Sequence, residues 1–83
     1  MTTITFKSNL FFYEKEKSGM KPNTIRKLST DDSRFDDIMD MIQGKEKYGK
    51  IRILLAGTEQ SFEKQITDIS YYDEWFIISW RHK

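Results

Sequence analysis

Three polar side chains close together in the sequence, Lys21, Thr24 and Arg26, are of types that bind or transform an anionic or carbonyl-bearing ligand. The Lys21 ammonium is a flexible point charge that can hold a phosphate, a carbonyl or a water. Thr24 can act as a nucleophile where a base or an amine of depressed pKa lies within hydrogen-bond reach. In an extended segment, Arg26 shares a face with Thr24 and can make a bidentate contact to a phosphate or a base edge.

A group of carboxylates is the one arrangement in the sequence that resembles a metal site. Its members lie at the start of a predicted helix, where carboxylates complement the helix dipole and are usually solvated; they are Asp31, Asp32, Asp36, Asp37 and Asp40. The chain has no cysteine, and its single histidine, His82, cannot hold a metal ion alone. We therefore predict neither a metal ion nor another cofactor.

Length and composition favour one domain over residues 1–83. Fourteen basic and thirteen acidic residues give a net charge of +1, which is too small for nucleic-acid binding through bulk charge, so such binding needs a local patch. No apolar run approaches the roughly 20 residues of a membrane span, and the first residues do not resemble a signal peptide. With no cysteine in the chain, we expect a cytoplasmic protein that does not contact a membrane.

The three polar residues must be positioned by a helix and the strand that follows it. A short strand is predicted at residues 3–6, and a helix over Leu10–Ser18 that Ser8 or Asn9 caps and Gly19 ends. Pro22 excludes a further helix, so residues 23–28 are predicted to be extended, with alternate side chains on opposite faces.

The rest of the chain supplies a second helix and three strands. Apolar residues at helical spacing, ended by Gly44, predict the helix; they are Phe35, Ile38, Met39 and Ile42. Strands are predicted at residues 48–55, 61–69 and 75–81, with a bulge or an early end at Ile69, whose parity differs from that of Ile66. The resulting order, β-α-β-α-β-β-β, predicts an α+β fold whose mostly antiparallel sheet curls into a partial barrel.

In-phase apolar positions define the predicted core. They are Phe35, Ile38, Ile42, Ile51, Ile53, Phe62, Ile66 and Ile78. In the last strand, Trp75 falls on one face while Phe76 and Trp80 fall on the other, so the three cannot all enter one core. An exposed tryptophan could stack on a base, but in a barrel of this size packing in the core is the favoured prediction.

The run GMKPNTIR at residues 19–26, placed after a short strand and an aromatic helix, resembles the G-x-K-x-x-T-I-R motif of the ASCH domain family, a branch of the PUA-like superfamily. The opening ITF at residues 4–6 and RFD at residues 34–36 are similar to small bacterial ASCH amidohydrolases that act on N4-acetylcytidine. The run KSGMK at residues 17–21 resembles phage-type ASCH-related domains. The resemblance covers about the first 40 residues.

This resemblance implies a PUA-like partial barrel and two kinds of site. In the amidohydrolases, the lysine and threonine act with a glutamate from a later helical insertion, which would make Lys21, Thr24 and Glu74 the catalytic residues here. This chain has only residues 70–74 in that place, and Pro22 stands where the family usually has threonine or serine. Because no residue of this short segment clearly matches the family's glutamate, we expect binding rather than catalysis.

Three functions remain open. The leading hypothesis is a module that binds RNA, a nucleotide or a modified nucleoside, through Lys21, Asn23, Thr24, Arg26 and the aromatic walls Tyr71, Tyr72 or Trp75. The second is a metal-free amidohydrolase with Thr24 as nucleophile. The third is an accessory domain, of phage type, that binds another protein without catalysis. The sequence leaves the oligomeric state open.

Overall fold

Seven elements follow one another in the predicted order in a computed structural model, which describes residues 2–81. They are β1 (Thr3–Ser8), α1 (Leu10–Ser18), β2 (Asn23–Lys27), α2 (Ser33–Ile42), β3 (Lys50–Leu55), β4 (Ser61–Tyr72) and β5 (Trp75–Trp80). Neither helix in this part of the chain is long and apolar enough to cross a membrane.

One mixed sheet of five strands, in the order β1-β3-β4-β5-β2, forms a half-barrel. Three of its four pairs are antiparallel, and only β1 and β3 run parallel. A parallel pair needs a long crossover, and here α1, β2 and α2 all lie between its two strands in sequence. The predicted α+β class and partial barrel are confirmed. Because β1 and β2 are the two edge strands of the sheet, the gap between them can be reached from outside.

β4 contains a bulge, as the change of parity between Ile66 and Ile69 predicts. Ile66 pairs with Trp80, whereas Asp68 pairs with Ser79, so one extra residue stands between the two pairs. The extra residue lets both Ile66 and Ile69 point into the core. The strand continues to Tyr72 rather than ending at Ile69, because β5 continues to pair with it as far as the turn.

The two ends of α1 follow from single residues. Asn9 is the N-cap, and its side chain accepts a hydrogen bond from the backbone N–H of Phe12 at 3.0 Å. Ser8, the alternative cap, is instead the last residue of β1 and is buried. Gly19 ends the helix with a φ of 88°, which a residue without Cβ adopts at little cost. The chain thereby reverses and returns along the cleft described below.

The core lies on the concave side of the half-barrel under the two helices. Five of the predicted core residues are buried, namely Ile38, Ile51, Ile53, Ile66 and Ile78. The other three, Phe35, Ile42 and Phe62, are only partly buried and pack around its margin, because a domain this small has a thin core. Phe76 and Trp80 point inward and Trp75 is exposed, as their alternation predicts.

The start of α2 is built on one ion pair that makes stability depend on pH. The Asp32 carboxylate caps the helix by accepting from the Arg34 backbone N–H, and it also pairs with the Arg34 guanidinium at 2.6 Å. These hydrogen bonds from Arg34 lower the pKa of Asp32 from its ordinary value of 3.8 to about 2. A lowered carboxyl pKa stabilises the fold above the unfolded-state pKa, and this stabilisation is lost as the pH falls through the folded-state pKa.

We therefore expect Asp32→Asn to lower the free energy of unfolding at pH 7, and the difference from wild type to shrink between about pH 4 and pH 2. Urea denaturation at a series of pH values measures this difference. Asp31→Asn, a change at the exposed neighbouring carboxylate, is the matched control. A difference between wild type and Asp32→Asn that stays constant over this pH range would contradict the assignment.

Candidate functional site

A cleft of about 380 Å³ opens between the end of β1, the helix α1 and the strand β2. Its polar lining consists of Lys7, Ser8, Asn9, Glu16, Lys21, Thr24 and Arg26, and its apolar lining includes Phe12 and Ile25. Lys21, Thr24 and Arg26, the three residues singled out from the sequence, thus line one concavity. We call it the cleft below.

Local geometry explains why the motif residues meet there. β2 alternates as expected, so Thr24 is buried and Arg26 is half-buried on the inner face, while Ile25 is exposed. The turn after Gly19 is held by a backbone hydrogen bond from Lys21 to Lys15. The Lys21 side chain then folds over β2, and its Nζ donates to the carbonyl of Asn23 at 2.9 Å. Asn23 contributes this backbone group, but its side chain is not part of the lining.

Arg26 organises the cleft by joining the two edge strands. Its Nε donates to Thr24 Oγ1 at 2.9 Å, while its two terminal nitrogens donate to the Lys7 carbonyl at 2.8 Å and to Ser8 Oγ at 2.7 Å. Burial lowers the pKa of the guanidinium; the charge of Glu16 opposes this shift and that of Arg34 adds to it. Arginine nevertheless stays protonated, so Arg26 is a fixed cation in the wall of the cleft.

Glu16 is one of the cleft residues that the sequence did not single out. Its side chain is 2% exposed, accepts a hydrogen bond from Ser8 Oγ at 2.9 Å, and has its second oxygen 3.6 Å from Lys21 Nζ. Helical spacing could have indicated its burial, because Glu16 follows the buried Tyr13 by three residues and therefore lies on the same face of α1. The carboxylate links the hydroxyl of Ser8 to the ammonium of Lys21.

The residues proposed from the last hairpin lie elsewhere. Glu74 is in the turn between β4 and β5, where its carboxylate is 3.9 Å from the Lys27 ammonium and both groups are exposed. The register explains this placement, because Trp75 pairs with Lys27 and the turn therefore lies beyond the far end of β2 from Thr24. Lys21, Thr24 and Glu74 are not brought together, and the carboxylate near Lys21 is that of Glu16.

The expected aromatic walls are also outside the cleft. Tyr71 packs on Phe76 with ring centroids 4.7 Å apart, and Trp75 projects from the opposite face of β5. Tyr72 is directly paired with Trp75 and is exposed. Phe12, which α1 presents 44% exposed, is the aromatic ring that lines the cleft instead.

Other surface features offer less chemistry. In residues 2–81 no group of three histidine, cysteine, aspartate or glutamate side chains could hold a metal ion; His82 lies outside the described residues. A larger depression of about 530 Å³ covers the outer face of β3 and β4. Its lining is polar and includes Glu63, which pairs with the Arg52 guanidinium, so its charges are partly satisfied.

No protein-family model matches the chain, and a search of curated proteins finds no significant match. The chemistry of the cleft is therefore the guide to function. The Thr24 hydroxyl accepts a hydrogen bond from Arg26, and its O–H group can still donate one to a ligand. Lys21 uses one of its three N–H donors on Asn23. The cleft thus offers donors toward a ligand, with one buried carboxylate behind them.

Proposed function

We propose that the domain binds a nucleoside unit in the cleft, either as a free nucleoside or nucleotide or within single-stranded RNA. The observation that carries the proposal is the convergence of Lys21, Thr24 and Arg26 beside the half-exposed ring of Phe12. Recognition of unpaired bases commonly combines an aromatic surface for stacking with a few hydrogen-bonding and cationic groups. The volume of about 380 Å³ is near the lower end of the range of about 300–1,000 Å³ for small-ligand sites.

Polarity supports this choice of ligand. The Thr24 hydroxyl and the remaining N–H groups of Lys21 and Arg26 are donors, so they favour a ligand rich in carbonyl and ring-nitrogen acceptors. Lys21 Nζ lies 5.7 Å from the centre of the Phe12 ring, which places a cation beside the stacking surface. The resemblance of residues 19–26 to the ASCH motif supports the same proposal, because the three polar residues of that motif line the cleft.

Amide hydrolysis is the second candidate, favoured by the position of Glu16. Thr24 would attack the amide carbonyl, the C–N bond would break as Glu16, in place of Glu74, passes a proton to the leaving amine, and water would then hydrolyse the acyl ester on Thr24. The step needs a group that takes the threonine proton. Within residues 2–81, Lys21 Nζ is bonded to Asn23 rather than to Thr24, so we place binding ahead of turnover. Hydrolysis of N4-acetylcytidine that disappears in both Thr24→Ala and Glu16→Gln would reverse this order.

We expect the double variant Lys21→Ala/Arg26→Ala to abolish binding of nucleosides, nucleotides and short single-stranded RNA. Two of the three cations that line the cleft would be removed, leaving only Lys7, and charged hydrogen bonds of this kind contribute about 1.5–3 kcal/mol each. Calorimetric titration at low and high salt measures the loss, and wild-type affinity for RNA should fall as salt rises. Lys45→Ala/Lys47→Ala, in an exposed part of the loop after α2, removes the same charge and should bind as wild type does.

A second variant protects this experiment against misfolding, because Arg26 also bridges two strands. Phe12→Ala removes the stacking surface of the partly exposed ring, together with its contact to the Lys21 ammonium, but none of the hydrogen bonds of Arg26, and should weaken binding about tenfold or more. Wild-type affinity in both variants, or no binding by the wild-type protein at low salt, would exclude the proposal. The third hypothesis, a domain that docks on another protein, would then remain.

A further inference from the structure

A second groove, of about 400 Å³, lies on the other side of Arg26 from the cleft. Four cationic side chains line it, namely Lys7, Arg26, Lys27 and Arg34. No carboxylate is among its lining residues within the described part of the chain. The groove and the cleft share Lys7 and Arg26. The two concavities are therefore adjacent along the gap between the edge strands β1 and β2.

The two arginines of this groove are held near each other by one aromatic ring. The guanidinium carbons of Arg26 and Arg34 lie 4.9 and 4.5 Å from the centre of the Phe6 ring. Phe6 itself is buried in the core, so the ring is a rigid support. The two positive charges repel one another, although Asp32 already compensates part of the charge of Arg34, and a further anion in the groove would reduce the repulsion that remains.

Both guanidiniums are oriented by the protein but retain donors. Arg26 donates to Thr24, Lys7 and Ser8, while Arg34 donates to Thr5 and twice to Asp32 through its side chain. Each therefore uses three of its five N–H groups. Two N–H groups on each arginine are left without a partner among residues 2–81, and their orientation is already fixed.

We propose that this groove binds a phosphate group of the ligand whose nucleoside lies in the cleft, so that the preferred ligand is a nucleotide or a single-stranded RNA. The inference rests on the proposed function. A phosphate offers oxygens to both guanidiniums at once, which is the pairing that arginine makes best. Lys7 and Lys27 add exposed positive charge at the same groove, although the Glu74 carboxylate lies 3.9 Å from the Lys27 ammonium, and this charge attracts the anion. The shared Arg26 would contact both parts of the ligand.

The test compares cytidine with cytidine 5′-monophosphate by calorimetric titration at low salt. We expect the nucleotide to bind wild-type protein at least about tenfold more tightly than the nucleoside, as one or more charged hydrogen bonds would produce. In Arg34→Ala most of this ratio should be lost while cytidine binding is retained. Because Arg34 also contacts the start of α2, Lys7→Ala/Lys27→Ala provides a second variant with less structural effect. Its matched control is again Lys45→Ala/Lys47→Ala, which should keep the ratio.

Equal affinities of wild type for the two ligands would overturn the inference and leave the cleft as a nucleoside site. An unchanged ratio in Lys7→Ala/Lys27→Ala and in a folded Arg34→Ala would overturn it too. A titration with inorganic phosphate, monitored through the arginine Nε–H signals in NMR spectra, separates the phosphate groove from the nucleoside site in the cleft. Shifts of Arg26 and Arg34 without binding of either cytidine compound would support the groove as an anion site and refute the proposed function. No shifts and no binding would refute both.

Discussion

Ile53→Ala is expected to destabilise the domain by about 2–5 kcal/mol. Ile53 is completely buried at the middle of β3, where it pairs with Phe6 of β1 on one side and with Phe62 of β4 on the other. Truncation removes apolar contacts on both sides and leaves a cavity that rigid strands cannot close. Whole domains are stable by only about 5–15 kcal/mol, so this single change would remove a large part of the total.

Urea denaturation of the variant measures the loss as a shift of the midpoint at constant slope. Ile77→Ala is the matched control, because it makes the same change of side chain in a strand but at a residue 40% exposed on the outer face of β5. Its cost should be below about 1 kcal/mol. Equal losses for the two variants would show that the concave side does not form the continuous core described above.

Removal of Glu16 is the second large effect expected. Breaking a fully buried ion pair by deleting one partner costs about 3–5 kcal/mol, because the other group loses its compensation. Here Lys21 is partly exposed and water can solvate it, so we expect Glu16→Ala to cost about 3 kcal/mol, at the low end of that range. The Ser8 hydroxyl would lose its acceptor, and Arg26 would lose the negative charge that offsets the cost of its burial.

Two variants separate the causes of this loss. Glu16→Gln keeps an oxygen for the Ser8 hydroxyl but removes the charge, so it should cost less than Glu16→Ala. Glu14→Ala removes a carboxylate from the exposed face of the same helix and should change the free energy of unfolding by less than about 0.5 kcal/mol. If Glu16→Ala unfolded at the same urea concentration as Glu14→Ala, the buried network around Arg26 would contribute nothing to the fold.

The fold was largely predictable because most of its strands alternate buried and exposed residues, with one bulge in β4. Ile51 and Ile53 point inward on this basis alone, and the parity of Ile69 revealed the bulge. The partial burial of Phe62 was not predictable in this way, since alternation gives the face of a residue but not how far the core extends over it. In the first 28 residues, the type and spacing of Thr24 and Arg26 were enough to place both on one face.

The full composition of the site could not be read from the sequence, because it depends on contacts between separate elements. Glu16 is a charged residue on a helix with little apolar periodicity, and such residues are usually exposed. Its burial depends on Ser8 and Lys21, which reach it from β1 and from the turn after α1. Glu74 was attractive by its chemical type, but the register of the hairpin places it at the wrong end of β2.

The arginines between the edge strands also protect the sheet from other copies of the chain. An open edge strand presents unpaired carbonyls on which a foreign strand can add, which is a common start of aggregation. In β1, the carbonyls of Thr5 and Lys7 are instead occupied by Arg34 and Arg26. A guanidinium on the edge both satisfies the carbonyl and places a repelling charge where a second sheet would dock. The side chains that make the gap attractive to a phosphate thus make it unattractive to another β-strand.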